Sequence, residues 1–269
     1  MNKKQRQDYS AVHIRRLKKF ERQYVKAIYN ALQAQIKDAA KKIRELGPVV
    51  AKREINTIVI NTHLNHAIMD IYKTVGVSTA TETMREIKRS AGRKGFGFDA
   101  EWINQIIEFF RWKLLNQAVL PISETTKQFI LQVLSKGIEQ GWGVDKIVSE
   151  LENSDITIQR ARMIVRTEAG KAVFNGEELA KEKTDYVVQD EWIAANDHRT
   201  RHSHHFVDGE VIDEGQKFRV PVYKGKIQIG FEYMKGPGDP SASPGNVINC
   251  RCKRSVTAKR DENGRLILK

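Results

Sequence analysis

The feature that most constrains this chain is an apolar stripe near its start. Leu17, Phe20, Tyr24, Ile28, Leu32, Ile36, Ala39, Ile43 and Leu46 follow one another at steps of three or four, the spacing that lines one face of an α-helix. Arg15, Lys18, Lys19, Arg22, Lys26, Lys37, Lys41 and Arg44 fall mostly off the stripe, so the pattern predicts one long amphipathic helix from His13 to Leu46. Gly47-Pro48 ends it: glycine accepts the left-handed C-cap conformation and proline cannot continue the hydrogen-bond ladder. A helix this long either packs along another element or reaches out to a partner.

Similar spacing predicts helices over 51–74, 78–90, 99–117, 124–140 and 144–151, and a last one from Ser154-Asp155-Ile156-Thr157 to about Lys183. Pro121 reads as a boundary and Ser123 as the cap of the helix that follows. Gly92-Arg93-Lys94-Gly95-Phe96-Gly97-Phe98 reads as an interhelical loop. It is basic and glycine-rich but lacks the Gly-Lys-Ser/Thr ending of a phosphate-binding loop. Trp102 and Trp112 read as core.

After Lys183 the texture changes. Tyr186-Val187-Val188, Glu191-Trp192-Ile193, Val220-Pro221-Val222-Tyr223, Ile227-Gln228-Ile229 and Phe231-Glu232-Tyr233 are short strand candidates, with Gly and Pro recurring between them. The expected fold class is α+β: a long, mostly helical N-terminal region followed by a small α+β domain with short antiparallel strands. The expected divisions are a basic helical region over 1–153, the α+β domain over 154–257 and a tail over 258–269, in which Asp261-Glu262-Asn263-Gly264 marks a hairpin turn.

The net charge is +13. The excess is concentrated at the start, where residues 1–46 hold 13 Lys and Arg against 4 Asp and Glu. Arg15, Lys18, Lys19, Arg22 and Lys26 are the candidate contacts for nucleic acid or an acidic protein; the alternative is a solvated face. No apolar run approaches the roughly 18–20 residues needed to cross a bilayer. The opening Met-Asn-Lys-Lys-Gln-Arg is charged and has no apolar segment behind it, so neither a secretion signal nor a membrane anchor is expected. Two Cys one residue apart are too close for an easy intrachain bridge and point to a reducing compartment.

The chemistry gathers late in the chain. His198, His202, His204 and His205 fall within eight residues, and Cys250 and Cys252 within three. On a strand, Cys250 and Cys252 would share a face, as His202 and His204 could, and two Cys with two His make a tetrahedral zinc site. The alternative is two buried thiols and a surface His cluster. A second chemical reading is a metal-dependent hydrolase or nuclease, with His204 activating water and Asp197, Asp208 or Asn249 nearby. Asp208-Gly209 reads as a hairpin turn, Gly236-Pro237-Gly238-Asp239-Pro240 as a rigid loop, and Asp197 with Arg199 or Arg201 as a pair across a turn. Arg166 and Glu168, two apart on a helix, do not face each other and read as ties from helix to sheet.

Taken in order, these pieces resemble the phage head morphogenesis family, the Mu F-like or SPP1 gp7-like minor capsid proteins. Arg166-Thr167-Glu168 matches its Arg-Thr-Glu. Trp192, Asp197, Arg199, Arg201, Ser203 and His204 match its Trp…Asp-x-Arg-x-Arg-x-Ser-His segment, followed by Asp208-Gly209. Gly238-Asp239-Pro240 and Asn249-Cys250-Arg251-Cys252 match its closing motifs. The resemblance covers about residues 140–256. His202 departs from it, standing where many relatives carry Pro, which leaves His204, Cys250 and Cys252 as the favoured metal ligands. The resemblance implies a low-copy protein of the virion head, made in the host cytoplasm. Its implied partners are the portal protein, other capsid or scaffold proteins, and double-stranded DNA. It implies no reaction.

Overall fold

The computed structural model describes residues 1–93, 100–113, 115–153 and 158–269. Lys94 to Phe98 of the expected basic loop, the Ser154 helix start and the Trp112 side chain lie outside the described residues. The fold is α+β. Its elements are α1 (Lys3–Leu46), α2 (Pro48–Arg53), α3 (Ile55–Ile58), α4 (Thr62–Ile71), a π turn (Tyr72–Gly76), α5 (Val77–Ser90), α6 (Ala100–Lys113), α7 (Leu115–Glu139), α8 (Val144–Glu152) and α9 (Ile158–Lys183). There follow β1 (Val188–Ile193), α10 (His202–Phe206), β2 (Val211–Asp213), β3 (Phe218–Lys224), β4 (Ile227–Met234), α11 (Pro244–Val247) and β5 (Lys253–Ala258).

Three local expectations are corrected. The first helix begins at Lys3 rather than His13, because Ser10 and His13 are themselves buried and extend the inward face by two turns. The helix expected over 51–74 is broken into α2, α3 and α4, with Val59 extended between the last two. Pro121 lies inside α7 instead of bounding it. A proline there costs about 3 kcal/mol. Tertiary burial outweighs it: Ala118, Val119, Ser123 and Thr126 are all buried. Ser123, expected as a cap, donates to Asn61 Oδ1 at 2.5 Å instead.

The chain forms two compact units, neither contiguous in sequence. One comprises Met1–Glu21, Ile71–Phe109 and Arg166–Lys269, the other Arg22–Asp70 and Phe110–Val165. Contacts therefore do not divide the chain at 153, as composition had suggested. The second unit is helical. The apolar stripe of α1 supplies Ile28, Leu32, Ile36 and Ile43 to its core, together with Leu64, Ile68, Ile130, Leu134, Ile147 and Leu151. Gln35 donates to Asn61 Oδ1 at 2.8 Å, which gives its buried amide nitrogen a partner.

The first unit carries the strands. One antiparallel sheet has the order β2-β1-β5, and β3 and β4 form a separate hairpin. In the sheet Trp192 lies opposite Arg254 and Asp190 opposite Val256. One core cluster is built on Trp192, Phe218, Val220, Met234 and Val247, with Ile14 of α1 packed against it. A second joins Met84 and Ile87 of α5 to Val188, Val256 and Ala258. The opening turns of α1 are part of this unit: Ser10 donates to the Ala195 carbonyl at 3.2 Å and Tyr9 to Glu86 at 2.8 Å.

Residues 258–269 are not a loose tail. Arg260 pairs with Leu266 around the expected turn, where Gly264 sits at φ 75, and Leu268 returns to pair with Tyr186. No helix among the described residues is long and apolar enough to cross a membrane.

Candidate functional site around His204, Cys250 and Cys252

The site lies in the first unit, where α10 meets the segment that leads into β5. That segment, Ile248 to Cys252, makes no regular ladder of its own, so its backbone groups need partners from elsewhere. The residues singled out in the sequence supply them. Thr167 on α9 accepts the Asn249 amide at 2.9 Å. Arg166, one residue earlier, donates to Asn249 Oδ1 and to Glu21 of α1 at 2.6 Å. Asn249 is held at φ 62, a left-handed conformation that asparagine tolerates better than most residues. Arg201 donates to the Ile248 carbonyl at 2.5 Å. Arg251 makes a two-pronged pair with Asp197, one prong at 2.8 Å. Ile248, Asn249 and Arg251 are thus each tied down, and Cys250 and Cys252 alternate with them.

Both thiols face His204. Its Nδ1 lies 3.5 Å from the Cys250 sulfur and 3.4 Å from that of Cys252. One ligand atom from each residue falls within 4.8 Å of the others. All three side chains are buried, His204 being 1 % exposed. The imidazole stands edge-on to Trp192 at 5.3 Å, and Trp192 to Phe218 at 5.2 Å. The hydrogen bond between the sulfurs, with the nearby imidazole, favours the Cys250 thiolate and holds its pKa well below the usual thiol range. The same hydrogen bond, with burial and the charge on Cys250, pushes Cys252 well above that range. Among the described residues these three form the group that could hold a metal.

The other motif residues serve the same frame. Asp197 also accepts the Arg199 amide at 3.0 Å. Burial would raise its pKa, but the Arg251 and Arg199 hydrogen bonds outweigh that and hold it low. The expected Asp197 pairing with the Arg199 or Arg201 side chain is therefore corrected to Arg251, because Arg201 is engaged by the Ile248 carbonyl and Arg199 is exposed, while Arg251 meets both carboxylate oxygens. Ser203 donates to Asn246 at 3.4 Å. Asp208 accepts the Ala194 amide at 2.8 Å. Gly209, at φ 84, donates to the Trp192 carbonyl at 2.8 Å, so Asp208-Gly209 closes the turn from α10 into β2 rather than a two-strand hairpin. Asp239 caps its own loop, accepting the Lys235 and Ser241 amides at 2.9 Å each. Glu168, 2 % exposed, accepts from Tyr72 at 2.8 Å and Lys171 at 2.9 Å. It ties α9 to the π turn, whereas Arg166 and Thr167 tie α9 to the loop before β5.

His202 does not join the cluster. It is exposed and its ring stands against Tyr223 at 5.2 Å. On the short helix α10, residues two apart point to different sides, so the shared face expected of a strand is lost. His198 and His205 are exposed as well. An open groove of about 580 Å³ runs past α10, lined by Arg201, His202, Tyr223, Lys226 and Asn246 among others.

One element of the frame belongs to no motif in the sequence. Arg254 is fully buried. It donates to Glu177 at 3.0 Å and Glu178 at 2.8 Å, both on α9, and lies 3.5 Å from Asp190. Asp190 also takes Lys181 at 2.5 Å. Three carboxylates here face Arg254 and Lys181, and Lys235 lies 4.0 Å from Glu178. Burial pushes Glu177 up to about 7, against the pull of Arg254. Glu178 is less enclosed; Arg254 and Lys181 overcome its burial and bring it down to about 2. The available clue was alternation, since Arg254, Val256 and Ala258 share one side of β5.

Residues 128–255 match the family model described as Phage Mu protein F like protein. Over 126 residues the chain is 28% identical to the minor head protein GP7 of Bacillus phage SPP1, an alignment covering 46% of this chain and 38% of that protein. The chain therefore spans about two fifths of the length of the relative it matches. No solved structure matches. The motif residues that pin the Cys250–Cys252 segment against His204 all lie within the matched range, so residues 128–255 carry the chain's likeness to the Mu F-like family of phage head morphogenesis proteins.

Proposed function

We propose that this chain is a minor head protein of a phage, working with the portal and other capsid or scaffold proteins during procapsid assembly and touching packaged double-stranded DNA through α1. The observation that carries the head assignment is the family match over residues 128–255, joined to the likeness to a minor head protein. The DNA contact rests on the surface of α1. Arg15, Lys18, Lys19, Arg22 and Lys26 are exposed, and offsets of 3, 4, 7 and 11 residues put them on one face of the helix. A row of cations along one helix face neutralises phosphates without reading sequence, which suits contact with any packaged genome.

The test is binding of duplex DNA by the full chain across a salt series, beside a variant carrying Lys18→Glu, Lys19→Glu, Arg22→Glu and Lys26→Glu. Affinity of the unaltered chain should fall steeply with salt, by a slope of about 0.9 per phosphate neutralised. The variant should bind roughly ten-fold more weakly or worse, with a shallower slope. Equal affinity and slope would remove DNA from the proposal. Protein analysis of purified heads tests the rest: a chain absent from heads that otherwise assemble normally is not a head protein. Deleting residues 1–46 would be the wrong variant, because Ser10, His13 and Leu17 are core residues. The hydrolase reading finds no support in the position of His204, which is buried against sulfur and tryptophan rather than open to water or DNA.

A further inference from the structure

We propose that His204 Nδ1 and the Cys250 and Cys252 thiolates bind one zinc ion, and that the ion staples α10 to the segment leading into β5. Four observations carry this. The first is distance. Zinc holds sulfur at about 2.3 Å and imidazole nitrogen at about 2.0–2.1 Å, so a tetrahedral angle separates the two donors by about 3.5 Å. The two separations here are 3.5 and 3.4 Å. The second is valence. An imidazole Nδ1 offers one lone pair or one N–H, and so can satisfy one sulfur. Two sulfurs at nearly the same distance from one nitrogen exceed what a hydrogen bond provides, and a cation among the three atoms engages all of them.

The third observation is charge and burial. The three residues are buried, and two thiolates with a neutral imidazole cancel the charge of a divalent ion, which a buried site requires. Thiolate and imidazole donors select zinc over magnesium or calcium. The fourth is positioning. The segment carrying both sulfurs is fixed at Ile248, Asn249 and Arg251 by Arg201, Arg166, Thr167 and Asp197. Ligand atoms held this way lose little further freedom when the ion binds. Among the described residues no fourth His, Cys, Asp or Glu joins the set, so the remaining position falls to water or another small ligand. The proposal does not depend on the head-protein reading, since it concerns the metal content and folding of the purified chain alone.

The experiment is elemental analysis of the full chain purified without chelator, with thermal melts before and after a strong zinc chelator. The expected result is about one zinc per chain and a melt that drops when the ion is removed. Replacing the zinc with cobalt should give the near-ultraviolet absorption of thiolate-to-cobalt charge transfer. Cys252→Ser should lower zinc content about ten-fold or more, whereas His202→Ala should leave it unchanged. If Cys252→Ser fails to fold, the unaltered chain still decides the question. A folded chain that holds no zinc, takes none up from an excess of the free metal, and gives no cobalt–thiolate band overturns the proposal. Loss of zinc in His202→Ala but not in Cys252→Ser overturns the ligand assignment.

Discussion

Asn249 shows what a single residue of the motif does. Its backbone is left-handed, its amide is taken by Thr167 and its side chain by Arg166. Asn249→Ala strains the backbone and strips the side chain, so a loss of about 2 kcal/mol in folding stability is expected. Asn249→Gly strips the side chain alone and should cost less. Chemical denaturation of the two variants checks this, and equal losses would mean that the left-handed backbone is not what the asparagine serves. Glu177 makes a second prediction at this scale. Its folded pKa of about 7 lies above the ordinary 4.5. Between those values the folded chain keeps a proton that the unfolded chain has released, so stability falls as pH rises through that window. Glu178, at about 2 when folded, works the other way. Its contribution is present above 4.5 and is lost as pH falls toward 2. Glu177→Gln should flatten the decline between pH 4.5 and about 7, as read from melting temperature against pH. An unchanged profile would place the titrating group elsewhere.

At the scale of elements, the packing of the 236–240 loop on α9 depends on glycine. A Cβ on Gly238 would lie 2.5 Å from the Gly170 carbonyl oxygen, and φ there is 81. Backbone cannot yield as a flexible side chain can. Gly238→Ala should therefore cost about 3 kcal/mol, the overlap adding to the strain. Gly225 provides the control. It turns between β3 and β4 at φ 64, and a methyl group there would meet nothing within 4 Å, so Gly225→Ala should cost only about 1 kcal/mol. Similar losses at the two sites, measured by denaturant unfolding, would show that the close approach to Gly170 is relieved. The helix α1 makes the same point about context. Its apolar stripe is continuous, yet its first turns serve the strand-bearing unit and its later turns the helical one.

At the scale of the whole molecule, each unit is assembled from separated stretches of chain, so neither can be cut out along the sequence. A fragment covering 154–257 holds most of β1 to β5 but lacks Ile14, Met84 and Ile87, which complete the two core clusters. It also lacks Tyr9, which meets the buried Lys253 at 3.0 Å. It should show no cooperative melt, whereas the full chain should. A fragment that melts cooperatively would mean that those contacts are dispensable. The positive charge belongs to this scale too: its excess on the solvent side of α1 costs the core nothing and leaves the face available to an anionic partner.

Periodicity and residue types with narrow backbone preferences were enough to specify the mostly helical front of the chain, the α+β class, the turn at Gly264 and the motif that carries the family likeness. They also named His204, Cys250 and Cys252. What they could not specify was which side chains meet. Arg251 pairs with Asp197 across 54 residues and Arg166 with Glu21 across 145, and no local pattern encodes such separations. The helix through Pro121 and the burial of Arg254 were decided the same way: tertiary packing supplied the free energy that local propensity counted against them. His202 was excluded because a five-residue helix formed where alternation had suggested a strand. Local chemistry chose the elements and named His204, Cys250 and Cys252; only the folded chain, by closing long loops around Trp192, brought those three side chains to one point.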